Sequence, residues 1–141
     1  MKDISEFLPQ KPENIFVDEI DMIEHNKRIM GRKFIKKDER WVIGNDENPI
    51  IPASFIFETM SQFGGLLLFK SDETIENKIF NGYVFRVDKL KFLRHCKPGD
   101  VLNVESNCVD IIGNLYEINT KVTVDGQNIA EGLFTYILTK S

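Results

Sequence analysis

Pro52-Ala53-Ser54-Phe55-Ile56-Phe57-Glu58-Thr59-Met60-Ser61-Gln62-Phe63-Gly64-Gly65-Leu66-Leu67-Leu68-Phe69 reads as one helix, apolar on nearly every side. A rod of that kind belongs in a core rather than on a surface. Pro52 suits the first helical position, because its missing N–H is one the helix start leaves unpaired anyway. The Gly64-Gly65 pair marks a place where another element comes close. Glu58 breaks the pattern. An ionised carboxylate in such a rod loses its water unless partners replace it. Ser54, Ser61 and Gln62, at i−4, i+3 and i+4, share its face and make a narrow polar stripe. That stripe suits proton transfer. A buried ion pair with Arg86 or Arg94 would leave the same signature.

The rest of the chain reads as β structure wrapped around this rod. The piece up to Pro12 reads as a helical turn and a Pro-bounded loop. Ile15 to Ile23 is an apolar strand, Glu24-His25-Asn26-Lys27 a turn, and Arg28 to Ile35 a second strand. Lys36 to Asn48 is polar and irregular. Beyond Asn77, Lys78 to Arg94 and Val101 to Ile112 are strands separated by the turn Pro98-Gly99-Asp100. Gly113-Asn114 marks the next reversal. Tyr116, Ile118, Thr120, Val122 and Val124 then alternate with polar residues, as a half-buried strand does. Asp125-Gly126 is a hairpin signal. The last strand puts Ala130, Gly132, Phe134, Tyr136 and Leu138 on one face, with room over its two smallest residues for something bulky. Antiparallel strands covering one long helix make an α+β domain. Its open sheet edges call for a second copy, so a dimer is expected.

Composition narrows the function classes. The 141 residues suffice for one domain with a proper core, and 42% hydrophobic with 28% charged residues is ordinary for a globular protein. With 18 basic against 22 acidic residues the net charge is −4, which argues against a nucleic-acid binder. Met1-Lys2-Asp3-Ile4-Ser5-Glu6 leads into no apolar segment, and the greasy run from Phe63 to Phe69 is too short to span a bilayer. A cytoplasmic protein without membrane partners is therefore expected. Cys96 and Cys108 have neither metal-ligand nor redox spacing, and two histidines without a His/Cys cluster leave no zinc site. No metal or other cofactor is expected.

Four stretches, in order, resemble the hotdog-fold β-hydroxyacyl-acyl carrier protein dehydratases of fatty-acid synthesis. Leu8-Pro9-Gln10-Lys11-Pro12 with Phe16-Val17-Asp18 is similar to that family's opening "LPHRxPFLLVD". Pro49-Ile50-Ile51-Pro52 and Phe57-Glu58-Thr59-Met60-Ser61-Gln62 resemble "RPxMPG…IEAMAQ". Lys91-Phe92-Leu93-Arg94 before Pro98-Gly99-Asp100 resembles "ARFKRxVxPGD". Gly126 with Ala130-Glu131 resembles "GxxVAEA". The resemblance implies that residues 1–141 are a single hotdog domain, an antiparallel sheet around a central helix, working as a dimer. It also implies roles. Glu58 would protonate the departing β-hydroxyl or hold the water that replaces it. The Ala53 amide, in the place of a glycine, would donate to the thioester carbonyl, as a helix start can. Gln62 would orient the acid. Phe55, Phe57, Phe63 and Phe85 would line the acyl tunnel, although sequence alone cannot separate them from ordinary core.

At one position the chain departs from this pattern. The family's "GHFPGRP" carries the histidine that removes the α-proton. The matching stretch here, Gly44-Asn45-Asp46-Glu47-Asn48-Pro49, is one residue shorter and places Asn45 where the histidine belongs. An amide has no basic lone pair near neutral pH. Asp46 and Glu47 stand nearer the right place, and could serve if desolvation raised their pKa. His25 reads as a solvated turn residue. His95 reads as a surface residue at a strand end, far in sequence from the helix start.

Three readings follow. The chain is an acyl-thioester dehydratase or its subunit, paired as a homodimer or with a histidine-bearing paralogue, and assembled further where the fold allows. Alternatively it is a hotdog thioesterase needing only the helix carboxylate and the helix-start amide. As a third reading it is a non-catalytic module binding an acyl chain or carrier protein. Its substrate partner would be an acyl carrier protein or a coenzyme A thioester. Lys89, Lys91, Arg94 and Lys97, or Lys36, Lys37 and Arg40, would offer an acidic carrier a basic patch.

Overall fold

A computed structural model of the chain describes residues 15–68 and 80–140. The expected N-terminal turn and loop, the Leu8–Pro12 motif and Phe69 lie outside them. The elements are β1 (Glu19–Glu24), β2 (Arg28–Phe34), β3 (Ile43–Asn45), β4 (Asn48–Ile50), α1 (Ala53–Leu66), β5 (Phe80–Phe92), β6 (Val101–Ile112), β7 (Leu115–Val124) and β8 (Gln127–Lys140). Six strands form one antiparallel sheet in the order β1-β2-β6-β7-β8-β5, and β3 pairs with β4 as a separate hairpin.

Period-two alternation decides which face of the sheet holds the helix. On β7, Ile118, Thr120, Val122 and Val124 are buried, and on β8 so are Ala130, Phe134 and Tyr136. β2 contributes Ile29, Gly31 and Lys33 to the same inner face. Against it lie Phe55, Ile56, Met60, Phe63 and Leu66 of α1, in one continuous core. Each large apolar side chain so buried contributes about 1.5–3 kcal/mol. The turns obey strand twist. Asp125 and Gly126 both take positive φ, 49° and 80°, the demand of a two-residue type I′ hairpin. Gly113 alone has positive φ at the β6–β7 reversal.

Two expectations need adjusting. The ladder of β1 begins at Glu19 rather than Ile15, although the Asp18 amide already donates to the Arg32 carbonyl at 3.0 Å. Within the stretch read as irregular, Lys36 to Asn48, and two residues beyond it, Ile43–Ile50 forms the β3–β4 hairpin, with Ile43 opposite Ile50. Its two-residue turn, Asp46-Glu47, contains no glycine, so the usual signal is missing. Gly44, at φ 89°, takes the unusual conformation two residues before that turn.

The room left over the small residues of β8 is filled partly from within: a Cβ on Gly132 would sit 3.0 Å from Leu90 Cδ1. Gly64 gives closer passage to Tyr136, whose hydroxyl would collide with a Cβ there. The two edges of the sheet differ. β1 exposes Glu19, Asp21 and Glu24, whereas β5 exposes Tyr83, Val84 and Phe85. Among the described residues no helix is long and apolar enough to cross a membrane.

Gly31 is a second tight contact between sheet and helix. A Cβ there would strike the Glu19 carbonyl oxygen and come within 2.7 Å of Phe63 Cε1. Backbone on one side and a fully buried ring on the other leave it nowhere to go. Gly31→Ala is expected to cost about 1–3 kcal/mol, read as a lower urea midpoint at unchanged m-value. A wild-type midpoint would contradict this packing.

Candidate active site at the helix start

Gln62 is buried, and both ends of its amide are engaged. Its Oε1 accepts the Phe16 backbone N–H at 2.6 Å, and its Nε2 donates to Glu58 Oε1 at 3.0 Å. The orientation is forced. A backbone N–H can only donate, so it claims the amide oxygen, and the NH2 must then face the carboxylate. Glu58, half-buried one turn earlier, is thereby held by one oxygen while Oε2 takes no part in that bond. Neither arginine weighed as its partner is committed to it: Arg86 pairs with Asp88 at 2.9 Å, and Arg94 donates to Gln127 at 2.5 Å.

Below the same stripe, the Tyr136 hydroxyl donates to the Ser61 carbonyl at 2.7 Å. Burial pushes its pKa far up, the side chain of Ser61 works against that, and the charge of Glu58 adds to it. Tyr136 therefore stays a neutral phenol that ties β8 to α1. A tyrosine on the inner face of a strand, needing a partner for its hydroxyl, was the available sequence signal.

The helix opens at Ala53 with Pro52 as its extended N-cap residue and no side-chain cap. The Phe55 amide bonds the Pro52 carbonyl at 3.0 Å, and Ala53 and Ser54 are exposed. Uncapped first amides carry the positive end of the helix dipole, which suits a developing oxyanion. Glu58 lies five residues on, about 7.5 Å along the axis at 1.5 Å per residue. Phe55 packs edge-on against Phe16 and Trp41, with centroids 4.9 and 6.2 Å away.

The Ile51 amide donates to the Cys96 carbonyl at 2.9 Å, an isolated antiparallel bridge that binds the helix entry to the segment after β5. The structure thus brings Cys96, the neighbour of His95, onto Ile51, although 45 positions separate the two in sequence. His25 sits at the opposite end, in the β1–β2 turn whose Asn26 amide donates to the Leu67 carbonyl at 3.2 Å. Asn45 is exposed in the β3–β4 hairpin, where its Oδ1 accepts the Asn48 amide at 2.8 Å. Asp46 and Glu47 form the exposed turn of that hairpin.

The four phenylalanines fall into two pairs. Phe55 and Phe63 are fully enclosed in the core. Phe57 is half-buried against Phe134, centroids 5.4 Å apart, and Phe85 is exposed on β5.

Sequence reading missed Lys33. Its buried ammonium lies 3.4 Å from Asp18 Oδ2 and over the rings of Phe16 and Phe55. Its place on the inner-facing positions of β2, after Ile29 and Gly31, was the visible sign. Cys96 is no nucleophile: burial pushes its thiol to about 11, Asp100 adding to the shift and Arg94 opposing it. Among the described residues no cluster of His, Cys, Asp and Glu could hold a metal ion.

Residues 8–132 match the family model of the FabA-like domain. The chain belongs to that family. It is 32% identical over 132 residues to the 3-hydroxyacyl-[acyl-carrier-protein] dehydratase FabZ of Sorangium cellulosum, covering 92% of this chain and 83% of that protein. Against the FabZ of Aliarcobacter butzleri the figures are 35% over 136 residues, 93% and 91%. The hotdog fold recurs in a chain of the dehydratase heterocomplex ApeI:P from Xenorhabdus doucetiae, at TM-score 0.78 and 12% identity, covering 100% of this chain and 93% of that one. A hypothetical thioesterase with coenzyme A from Streptococcus pneumoniae aligns at TM-score 0.66 and 17% identity, covering 87% and 86%. At such identities these two structures speak for the fold alone.

Within this FabA-like chain the glutamine fork is open to direct measurement. Gln62→Leu keeps the bulk but strands the Phe16 N–H, so stability should fall by about 1–3 kcal/mol. Urea titration would read it, and a fall smaller than experimental error would show that the fork holds nothing.

Proposed function

We propose that this protein dehydrates 3-hydroxyacyl thioesters carried on acyl carrier protein, in the cytoplasm, with Glu58 as the acid. The carbonyl oxygen of the thioester accepts from the Ala53 amide, and the substrate then extends along α1 towards Glu58. Protonated Glu58 gives its proton to the β-hydroxyl as the Cβ–O bond breaks, and water leaves. Gln62 keeps the carboxyl aimed, and Phe57 and Phe85 meet the acyl chain. The observation that carries this reading is the fork of Gln62, a buried amide whose only free orientation presents its NH2 to Glu58. Membership of the FabA-like family and the FabZ relatives support the substrate class.

The working unit is a dimer built along β5. A second chain laid antiparallel on that edge would extend the sheet and cover Tyr83, Val84 and Phe85. The partner is another copy or a paralogue with a histidine at the position of Asn45. Exposed Lys89, Lys91, Arg94 and Lys97 flank the run from β5 to the helix entry and offer an acidic carrier protein its contact.

Glu58→Gln keeps an oxygen for Gln62 and removes only the transferable proton. Dehydration of 3-hydroxybutyryl-acyl carrier protein should fall about 10²–10⁴-fold, with the melting temperature unchanged. Release of free thiol that depends on Glu58, without any enoyl product, would replace this reading with a thioesterase. For the assembly, Phe85→Lys should shift the mass in solution from dimer towards monomer by light scattering; a dimer of unchanged mass would rule out β5 as the seam.

A further inference from the structure

Dehydration requires a base at the α-carbon, and the residue that matches the family's histidine cannot serve. Asn45 has no basic lone pair, and its amide oxygen is already spent on the Asn48 N–H. We infer that His95 is the proton acceptor, placed at the helix start by the bridge between Ile51 and Cys96. This inference rests on the acyl-thioester reading above and names the group that reading lacks.

The geometry follows from the bridge. In an antiparallel pair, the residue before Cys96 lies opposite the residue after Ile51, so His95 runs alongside Pro52. Neighbouring strands are about 4.8 Å apart, which puts His95 within one side-chain length of the first turn of α1. Alternation fixes the side. Ile51 and Cys96 both point into the core, so the flanking residues turn outward. His95 is accordingly exposed, and so are Ala53 and Ser54 in the first turn of α1. A thioester whose carbonyl oxygen sits on the Ala53 amide has its α-carbon one bond beyond the carbonyl carbon, on this same open surface.

The other bases fit less well. His25 is at the far end of a 14-residue helix, about 21 Å away at 1.5 Å per residue. Asp46 and Glu47 occupy the outer turn of the hairpin and face water. Lys33 is enclosed between Asp18 and two rings. Imidazole is also the side chain best suited to exchanging a proton at neutral pH. In the step, the imidazole lone pair takes the α-proton, and the C–H electrons form the enolate held by the Ala53 amide. Those electrons then make the Cα=Cβ bond while the β-hydroxyl leaves with the proton of Glu58. His95 ends as imidazolium and Glu58 as carboxylate, and solvent resets both.

The test follows α-proton exchange into 3-hydroxybutyryl-N-acetylcysteamine thioester in deuterium oxide, by mass spectrometry, beside the rate of dehydration. It uses the intact purified protein. In His95→Ala both rates should fall about 10²–10⁴-fold, added imidazole should restore a measurable part of each, and His25→Ala should behave as wild type. His95→Gln, equally impaired with an unchanged melting temperature, would exclude misfolding. If His95→Ala exchanges and dehydrates at wild-type rates while Glu58→Gln does neither, the inference is overturned and the acyl-thioester reading stands. A wild-type protein inactive alone but active beside a histidine-bearing paralogue would overturn the inference only, and inactivity in both states would overturn both.

Discussion

A buried amide with two different ends has one way to be satisfied here, and the site depends on it. Phe16 arrives at the helix as a buried residue whose backbone N–H is answered by the oxygen of Gln62. That single bond fixes the NH2 on Glu58. Rotating the amide would set two donors face to face and leave a carboxylate oxygen against a carbonyl, each loss worth about 1–3 kcal/mol. The acid is therefore held by a requirement of the fold rather than by an opposing charge.

The sheet serves the helix by keeping it at a fixed height. Gly31 lets Phe63 sit against β2, and Gly64 lets the Tyr136 hydroxyl reach the Ser61 carbonyl. Both glycines lie where a methyl group would meet something that cannot yield. The polar stripe of α1 is thus positioned from two opposite sides of the sheet, and Glu58 inherits the result.

Much of this was legible beforehand, for physical reasons. Alternation on β7 and β8 is a local property of consecutive residues, and it identified the inner face. The greasy run around Glu58 identified the rod and its stripe, and Asp125-Gly126 announced its turn. What escaped reading was contact between distant segments. The bridge of Ile51 to Cys96 is a single pair without a ladder, so no periodicity reveals it, and the approach of the segment carrying His95 to the helix entry could not be read from the chain. The β3–β4 hairpin escaped because its turn lacks the usual glycine. Lys33 was readable in principle, since its inward position on β2 follows from the same alternation.

The helix entry is fastened more firmly than a short loop requires. Ile51 is tied to Cys96, Phe55 is wedged against Phe16 and Trp41, and the Lys33 ammonium sits on two of those rings with Asp18 beside it. Asp18 also accepts the Phe34 amide at 2.6 Å, so the cluster reaches the end of β2. A helix start used only for packing would be free to fray, as most are. Donors that must meet a carbonyl oxygen as charge develops on it need a fixed position before the substrate arrives. Phe16 belongs to both arrangements, through its ring to the helix entry and through its amide to Gln62, so the first turn of α1 and the carboxyl of Glu58 are set by one residue.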